Sequence, residues 1–409
     1  MNNIIHNKYS ECNLCNEKNW KDIDTLVSGV WEKNHTEIVR KELSFTISQC
    51  QNCHHIQIIT PYTNEIFNTL YFSNTAEPDM WRPQKSGVVS PYEEMYDFFK
   101  SYLTENATIV DFGAGAGNTL KQIIINSKYS VNLKSVDFHN HINSPAIEHI
   151  HADLNQLEKI THLFEHDAID IAISTHVLEH IIDPIKFLKN IGKLLNKNGV
   201  IFIEVPDCSN NASLDKLALT NLVHGQHIHY FSRSSIGIFA EKSGLKVLNI
   251  EQRTTDEVPR LLVLLTKNDI KKPSTSELLW RKIIFEESAS EAIQLRFFQY
   301  RQYQKELFDA IKHKIDNKEK IVFWGIGGDF YLLTEFYPEL IDAIKSDLIL
   351  LYDYELSGHT YKGKNISSSI ELANSNIPIY IIPTYAPTRG RMKEISQKWG
   401  SNVIDIFEK

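Results

Sequence analysis

Short apolar runs alternate with amphipathic stretches through the middle of the chain. The runs typical of buried strands are Ala107–Phe112, Leu133–Phe138, Ile169–Ser174 and Val200–Val205. Before and between these runs, apolar residues at helical spacing predict helices that begin near Pro91, at Thr119 and at Pro184. Asp183 is the predicted N-cap of the third helix. Strands that alternate with helices predict a parallel sheet covered by helices on both faces.

The pattern changes on both sides of this region. Residues 1 to about 60 are polar, with short β-type runs such as Leu43–Ile47, and residues 61–90 are aromatic and irregular. The tail repeats the alternation of strands and helices. A chain of 409 residues is also longer than one core usually holds. The sequence therefore predicts an N-terminal module (1–85), a Rossmann-like α/β domain (86–265), a helical linker (266–315) and a second Rossmann-like α/β domain (316–409).

Composition excludes several classes of partner. The chain has 43 Lys and Arg against 51 Asp and Glu, and this balance disfavours non-specific binding to nucleic acid. No apolar run approaches the roughly 20 residues that a membrane span needs, and the first residues lack the apolar core of a signal peptide. We therefore expect a cytoplasmic protein that acts on a small molecule. The sequence does not indicate an oligomeric state.

Four of the five cysteines form two C-x-x-C pairs. The first pair is Cys12 and Cys15, and the second is Cys50 and Cys53. Two such pairs can present four thiolates to one tetrahedral zinc ion, which leaves no open position for water. We predict a structural Zn²⁺ site. Unpaired thiols, or a disulfide in an exported protein, are the alternatives.

Three alternating glycines separate a predicted strand from a predicted helix. Gly113, Gly115 and Gly117 follow Asp111 closely, in the spacing G-x-G-x-G, whereas dinucleotide sites favour G-x-G-x-x-G. Bare backbone can turn sharply and approach a ligand, and the helix beyond offers unpaired N–H groups. Asp137 ends the next predicted strand, where a carboxylate can accept two hydrogen bonds from ribose hydroxyls.

This loop resembles the first motif of the class I S-adenosylmethionine-dependent methyltransferases, in which it holds the amino-acid part of the donor. The resemblance implies S-adenosylmethionine as the cofactor, bound by the glycine loop together with Asp111 and Asp137. Asp153 falls where the family often contacts the adenine amino group. Thr175 begins a Thr-His-Val-Leu-Glu-His run that looks like the fourth motif and should border the donor. A tight turn without a ligand, and an NAD-dependent sugar enzyme, are the alternatives.

A histidine-rich run at 224–232 is the candidate for acid–base chemistry, because neutral histidine can accept a proton near neutral pH. The run is similar to the His-Glu-His and Tyr-Phe-Ser motif of the zinc-containing sugar C-methyltransferases, which act on nucleotide-linked deoxysugars. The order of the parts along the chain is similar as well. The resemblance implies His227 as the general base and Tyr230 as part of the catalytic motif. We add His180, at the end of the fourth-motif run, as a second catalytic candidate.

The run departs from that motif at two positions. Gln226 stands where the family has Glu, and Gly225 where it has His. Glutamine cannot ionise, so it cannot form an ion pair with a histidine. The expected function is methyl transfer to a sugar, nucleotide-linked, in surface polysaccharide or secondary-metabolite sugar biosynthesis. O- or N-methylation of another small molecule, and donor binding without turnover, are the alternatives.

Overall fold

The structure is a computed structural model, and it describes most of the chain. The described residues are 11–34, 37–63, 66–67, 70, 90–164, 168–209, 225–253, 259–268, 289–373, 375–400 and 402–407. Much of the predicted helical linker, from 269 to 288, lies outside the described residues.

Strands and helices follow one another in the order expected of an α/β protein. The strands are β1 Trp20–Asn34, β2 Glu37–Cys50, β3 Ile56–Ile58, β4 Ala107–Phe112, β5 Val131–Asp137, β6 Ile147–His151, β7 Ile169–Thr175, β8 Leu195–Pro206, β9 His229–Tyr230, β10 Leu245–Arg253, β11 Arg260–Lys267, β12 Ile321–Trp324, β13 Ile349–Asp353, β14 Thr360–Tyr361, β15 Lys364–Ser368, β16 Ile379–Ile381 and β17 Val403–Ile404. The helices are α1 Pro91–Phe99, α2 Asn118–Asn126, α3 Pro184–Leu194, α4 Arg233–Lys242, α5 Ala289–Asp316, α6 Gly328–Phe336, α7 Glu339–Lys345 and α8 Ala386–Ser396.

A seven-stranded sheet forms the middle of the molecule, in the order β10-β11-β8-β7-β4-β5-β6. The strands β4 to β8 are parallel, as the alternating pattern predicts, whereas β11 runs antiparallel to both β8 and β10. The sheet is therefore mixed, which corrects the prediction of a purely parallel one. The reason is local, because the short connection between β10 and β11 can join only antiparallel neighbours.

The predicted elements of this region are confirmed. The helices α1, α2 and α3 begin at or within one residue of their predicted starts, and Asp183 Oδ1 accepts a hydrogen bond of 2.9 Å from Lys186 N as the N-cap of α3. The central strands are buried on both faces, with Ile171, Ala172 and Ile173 wholly inaccessible. Since β4, β5, β7 and β8 are parallel, their carboxyl ends share one edge of the sheet.

A second sheet joins the two ends of the chain, in the order β17-β16-β12-β13-β15-β14-β2-β3-β9, with β1 paired to β2. Its C-terminal part, β15-β13-β12-β16-β17, is parallel and has the doubly wound strand order. One hydrophobic core contains residues of both ends of the chain, among them Phe45, Ile47, Leu307 and Phe323. The N-terminal module thus packs with the C-terminal domain rather than standing apart; the domain boundaries given above stay predictions.

None of the described helices has both the length and the apolar character to cross a membrane.

Candidate active site

The glycine loop lies at the carboxyl edge of β4, and its backbone requires glycine. Gly113, Gly115 and Gly117 have φ of 87°, 50° and 70°, which is the left-handed region. A Cβ on Gly113 would lie 2.2 Å from Val177 Cγ2, and one on Gly117 would lie 2.7 Å from Ile142 Cδ1. Side chains at these positions would therefore both strain the turn and displace its neighbours.

Asp137 lies beside this loop, as its position at the end of the neighbouring strand predicts. Its Oδ2 accepts a hydrogen bond of 2.9 Å from Gly115 N, and its Oδ1 accepts one of 3.3 Å from His139 N. The carboxylate is partly accessible, so it retains lone pairs for a ligand. The fold thus brings the bare loop and the predicted ribose acceptor together.

Asp111 is buried beneath the loop, with 1% of its surface exposed. Burial, together with the nearby charge of Asp137, raises the pKa of Asp111 to about 8. Its Oδ1 has no hydrogen-bond partner among the described residues. A buried carboxyl oxygen without a partner suits an ammonium group, which is the charge that the amino-acid part of S-adenosylmethionine carries, and such a cation would favour the ionised form of Asp111.

This raised pKa predicts a pH-dependent stability. Between about pH 4 and pH 8 the folded protein holds the Asp111 proton that the unfolded chain has released, so stability should fall as pH rises through this window. We expect Asp111→Asn to reduce the fall in melting temperature between pH 5 and pH 9, measured by calorimetry without donor. Asp183→Asn, which keeps an N-cap, is the control. Equal pH slopes for wild type and Asp111→Asn would contradict the assignment.

Two further donor candidates lie near the same edge. Thr175 is the last residue of β7, directly opposite Glu204 of β8. Asp153 caps a short 3₁₀ helix, where its Oδ1 accepts from Asn155 N at 2.9 Å and its Oδ2 from Gln156 Nε2 at 2.6 Å. These hydrogen bonds fix the Asp153 carboxylate at the start of that helix. Contact of either residue with a donor stays a prediction.

The loop after β7 carries a buried carboxylate surrounded by histidines. Glu179 Oε1 lies 3.3 Å from His176 Nδ1, 3.9 Å from His180 Nε2 and 4.0 Å from His227 Nε2. Glu179 and His227 are almost inaccessible, with 1% and 6% of their surfaces exposed. The rings of His180 and His227 meet edge to face at 4.9 Å between centroids. Both predicted catalytic histidines therefore face the same carboxylate.

His176 is the charged member of this cluster. Burial alone would lower its pKa, but Glu179 and Glu204 outweigh that effect and raise the pKa of His176 to about 10. Its Nε2 lies within ion-pair distance of Glu204 Oε1, at 3.0 Å, although the two atoms are not aligned as a hydrogen bond. Arg260 Nη1 donates to the other oxygen of Glu204 at 3.0 Å. His176 is thus a structural cation at neutral pH.

The segment that carries His227 is held by the N-terminal module. Gln226 Nε2 donates to Leu70 O at 2.9 Å, and the Tyr62 hydroxyl donates to Gly225 O. A Cβ on Gly225 would lie only 2.4 Å from the ring of Phe45. The departure from the family motif at Gly225 therefore has a packing reason, because the Phe45 ring leaves no room for a side chain there.

Tyr230 lies in the core between the strands of the N-terminal module. It is buried on β9, pairs with Ile56 of β3, and its hydroxyl has no hydrogen-bond partner among the described residues. Burial raises the pKa of Tyr230 well above its usual value, so the phenol stays protonated. The structure does not place Tyr230 within the cluster around Glu179, and its catalytic role stays a prediction.

The four cysteines of the C-x-x-C pairs converge on one point. All four Sγ atoms lie within 4.8 Å of one another, with Cys12 and Cys53 at 3.4 Å and Cys15 and Cys50 at 3.5 Å. Zinc bonded to sulfur at about 2.3 Å in a tetrahedron sets sulfurs about 3.8 Å apart, so this set can hold the ion. The hydrogen bond from Cys12 lowers the pKa of Cys50 to about 7, which favours a thiolate there.

Both C-x-x-C segments, here called knuckles, have the same backbone turn. Asn16 N donates to Cys12 O at 2.7 Å and His54 N donates to Cys50 O at 2.9 Å, and Asn16 and His54 both have positive φ. The first knuckle also contacts the loop after β7, because the Asn13 amide donates to Ile182 O. The cysteine site therefore supports the loop that carries Glu179 and His180.

A second glycine loop, at 325–328, follows β12 in the C-terminal domain. A Cβ on Gly325 would lie 2.7 Å from Pro383, and Asp353 Oδ2 accepts a hydrogen bond of 2.8 Å from Ile326 N. The Asp353 Oδ1 accepts from the backbone N–H groups of Glu355 and Leu356, at 2.9 and 3.1 Å. Packing therefore explains glycine at position 325, whereas a Cβ on Gly327 would meet nothing within 4 Å.

The residues predicted from the sequence do not include Glu179, Glu204 and Arg260. A signal for two of them was present, because Glu204 lies near the carboxyl end of β8 and Glu179 lies shortly after the end of the neighbouring strand β7. Carboxylates at the ends of adjacent parallel strands are expected to meet. Arg260 gave no such signal, since β11 approaches β8 from an antiparallel direction.

The middle of the chain also matches a known family. Residues 90–250 match the model of a methyltransferase domain family. The matched segment contains the glycine loop, its two aspartates and the carboxylate–histidine cluster on the seven-stranded sheet. Residues 90–250 therefore form a methyltransferase domain.

The methyltransferase is also similar to solved structures, at low identity. The 1,6-didemethyltoxoflavin-N1-methyltransferase of Burkholderia thailandensis, solved with its substrate and S-adenosylhomocysteine, is 15% identical over 44% of this chain and 78% of its own, with a TM-score of 0.33. An S-adenosylmethionine-dependent methyltransferase of Mesorhizobium loti is 16% identical over 42% of this chain and 96% of its own, with a TM-score of 0.32. No curated protein matches the chain.

Proposed function

We propose that the methyltransferase transfers the methyl group of S-adenosylmethionine to a sugar, carried on a nucleotide, with His227 as the general base. The observation that supports this proposal best is the meeting of His227 and His180 on Glu179, at the sheet edge that also carries the glycine loop. A donor site and a proton acceptor are the two parts that methyl transfer to a weak nucleophile needs.

The donor would bind along the glycine loop. The bare backbone of Gly113, Gly115 and Gly117 would accept the amino-acid part, with Asp111 beneath its ammonium group. Asp137 would accept the ribose hydroxyls. Asp153 and Thr175 would border the adenine and the methyl group.

Proton transfer would fall to His227, with the ring of His180 beside it. Burial lowers the pKa of His180, so its ring is neutral at physiological pH and can accept a proton. His180 Nδ1 lies 3.0 Å from Gln226 O, and a proton donated there leaves Nε2 as the basic nitrogen, aimed at Glu179 and His227. The methyl group would then move in line from the sulfonium to the acceptor, and positioning of the reacting pair would supply most of the rate enhancement.

Zinc enters the proposal as a structural ion. The four thiolates of the cysteine site would fill its tetrahedron, so no chemistry is assigned to it. Reduced thiols of this kind persist in the cytoplasm, which is where we place the enzyme, in the synthesis of surface polysaccharides or of secondary-metabolite sugars.

Substitution of the base tests this function. With a set of nucleoside-diphosphate keto-deoxysugars as acceptors, His227→Ala should lower kcat by about 10²- to 10⁴-fold. Donor affinity, measured by calorimetry with S-adenosylhomocysteine, should not change. His162→Ala, an exposed histidine outside the cluster, is the control. If no sugar nucleotide is methylated while donor binding is intact, the sugar assignment is wrong.

One observation favours a second class of acceptor. The Phe45 ring occupies the space beside Gly225 where the sugar C-methyltransferases carry histidine, and Gln226 is turned toward Leu70. A hydroxyl or amine acceptor needs only one base, so O- or N-methylation is compatible with this reduced set. Identifying the methylated atom of the product by NMR separates the two.

A further inference from the structure

We propose that Glu179 is the positioning residue of the general base, and that it supplies to His227 the carboxylate that Gln226 cannot. This inference rests on the proposed role of His227. Sequence comparison alone leaves the base without an acidic partner, because the adjacent position is an amide. The fold provides one from the short 3₁₀ helix after β7, Leu178–His180.

The two segments are held opposite each other by one backbone–backbone hydrogen bond and one contact between a side chain and the backbone. Ile228 N donates to Glu179 O at 2.8 Å, one residue from His227, and Gln226 O lies 3.0 Å from His180 Nδ1 on its other side. These two contacts fix the register of 226–228 against 179–180. The aligned segments therefore hold His227 Nε2 at 4.0 Å from Glu179 Oε1. This separation does not depend on the rotamers of long, flexible side chains.

The charge of Glu179 suits this role. The residue is buried, and its Oε2 has no hydrogen-bond partner among the described residues. A buried carboxylate beside the ring can stabilise the imidazolium that forms when His227 takes a proton, and it can set the ring orientation beforehand. Contacts of this kind are often long without ligands and shorten in the reacting complex.

The remaining titratable groups define what Glu179 can contribute. His176 and His180 face it from its own loop, His227 from the opposite segment, and Glu204 of β8 lies behind His176. The thiol of Cys208, which follows β8, is also within range of the Glu179 charge. Since protonated His176 also pairs with Glu204, Glu179 does not have to neutralise it alone.

The same three side chains, Glu179, His180 and His227, could in principle bind a metal ion, since their ligand atoms lie within 4.8 Å of one another. Two observations favour the proton role. Separations of 3.9 and 4.0 Å exceed the roughly 3.0 to 3.4 Å between neighbouring ligands in octahedral or tetrahedral sites. The cationic ring of His176, 3.3 Å from Glu179 Oε1, would also repel a dication.

Histidine NMR tests the proposal without an acceptor. The probe is the full-length protein with ring-¹³C histidine and bound S-adenosylhomocysteine, in which the His227 signal is assigned by its loss in His227→Asn. Removing a nearby carboxylate destabilises the imidazolium, so Glu179→Gln should lower the titration midpoint of His227 by about one pH unit. Glu179→Asp, which keeps the charge, should lower it less, and Glu158→Gln, on an exposed ion pair, should leave it unchanged.

The outcomes are distinguishable. An unchanged His227 midpoint in Glu179→Gln, with S-adenosylhomocysteine affinity intact, overturns the proposal. A second zinc ion per chain by elemental analysis, lost in Glu179→Gln, also overturns it in favour of a metal site. Failure of every sugar acceptor would affect the proposed function but not this measurement. With an active acceptor, the acidic limb of kcat/KM should move to lower pH in Glu179→Gln while KM for the donor holds.

Discussion

Removing the zinc ion from the four-cysteine site is expected to unfold the N-terminal module and to abolish methyl transfer. A structural zinc site contributes on the order of 10 kcal/mol to folding, which is comparable with the whole stability of a domain. The loss should spread to the active site, because Asn13 in the first knuckle bonds to Ile182 and Tyr62 bonds to Gly225. The loops that carry His180 and His227 would lose their support.

The measurement is zinc content together with calorimetric unfolding. Wild type should contain one zinc per chain and unfold at a much higher temperature than Cys12→Ser or Cys50→Ser, and prolonged chelation should reproduce the variants. Cys208→Ser is the matched control, because Cys208 is buried but lies outside the site. Zinc-free protein with an unchanged melting temperature would show that the cysteines are ordinary thiols.

Asp137→Ala is expected to abolish measurable donor binding. A carboxylate that accepts two ribose hydroxyls loses two charge-assisted hydrogen bonds on truncation, each worth about 1.5 to 3 kcal/mol, so affinity should fall by roughly 100-fold or more. The same substitution frees Gly115 N, which now donates to Asp137 Oδ2 at 2.9 Å, and so loosens the loop. Calorimetry with S-adenosylhomocysteine measures the loss directly.

Asp353→Ala is the control that the fold itself provides. Asp353 ends the second strand of the C-terminal Rossmann-like unit and bonds to that unit's loop through Ile326 N, as Asp137 does to Gly115 N. If the donor binds at the first loop, Asp353→Ala should leave its affinity unchanged. The reverse result would move the donor site to the C-terminal domain, and equal losses would indicate general destabilisation.

The sequence by itself determined the parts of this protein whose chemistry is local. Short apolar runs predicted β4, β5, β7 and β8, because a strand that is buried on both faces has consecutive apolar residues. The left-handed turns at Gly113, Gly115 and Gly117 need glycine at those positions whatever surrounds them. The C-x-x-C pairs likewise place two sulfurs on one turn, so the convergence of each pair could be foreseen.

Only the tertiary structure decided which groups meet across the chain. Phe45 fills the space beside Gly225, and Asn13 contacts Ile182 across 169 residues. Glu179 meets His227 because a backbone hydrogen bond and the His180 side chain align their segments. The pairing of β2 with β14, which joins N-terminal and C-terminal strands in one sheet, likewise depends on the tertiary structure. Such contacts leave no periodicity in the sequence, since they depend on how whole elements pack rather than on the spacing of neighbouring residues.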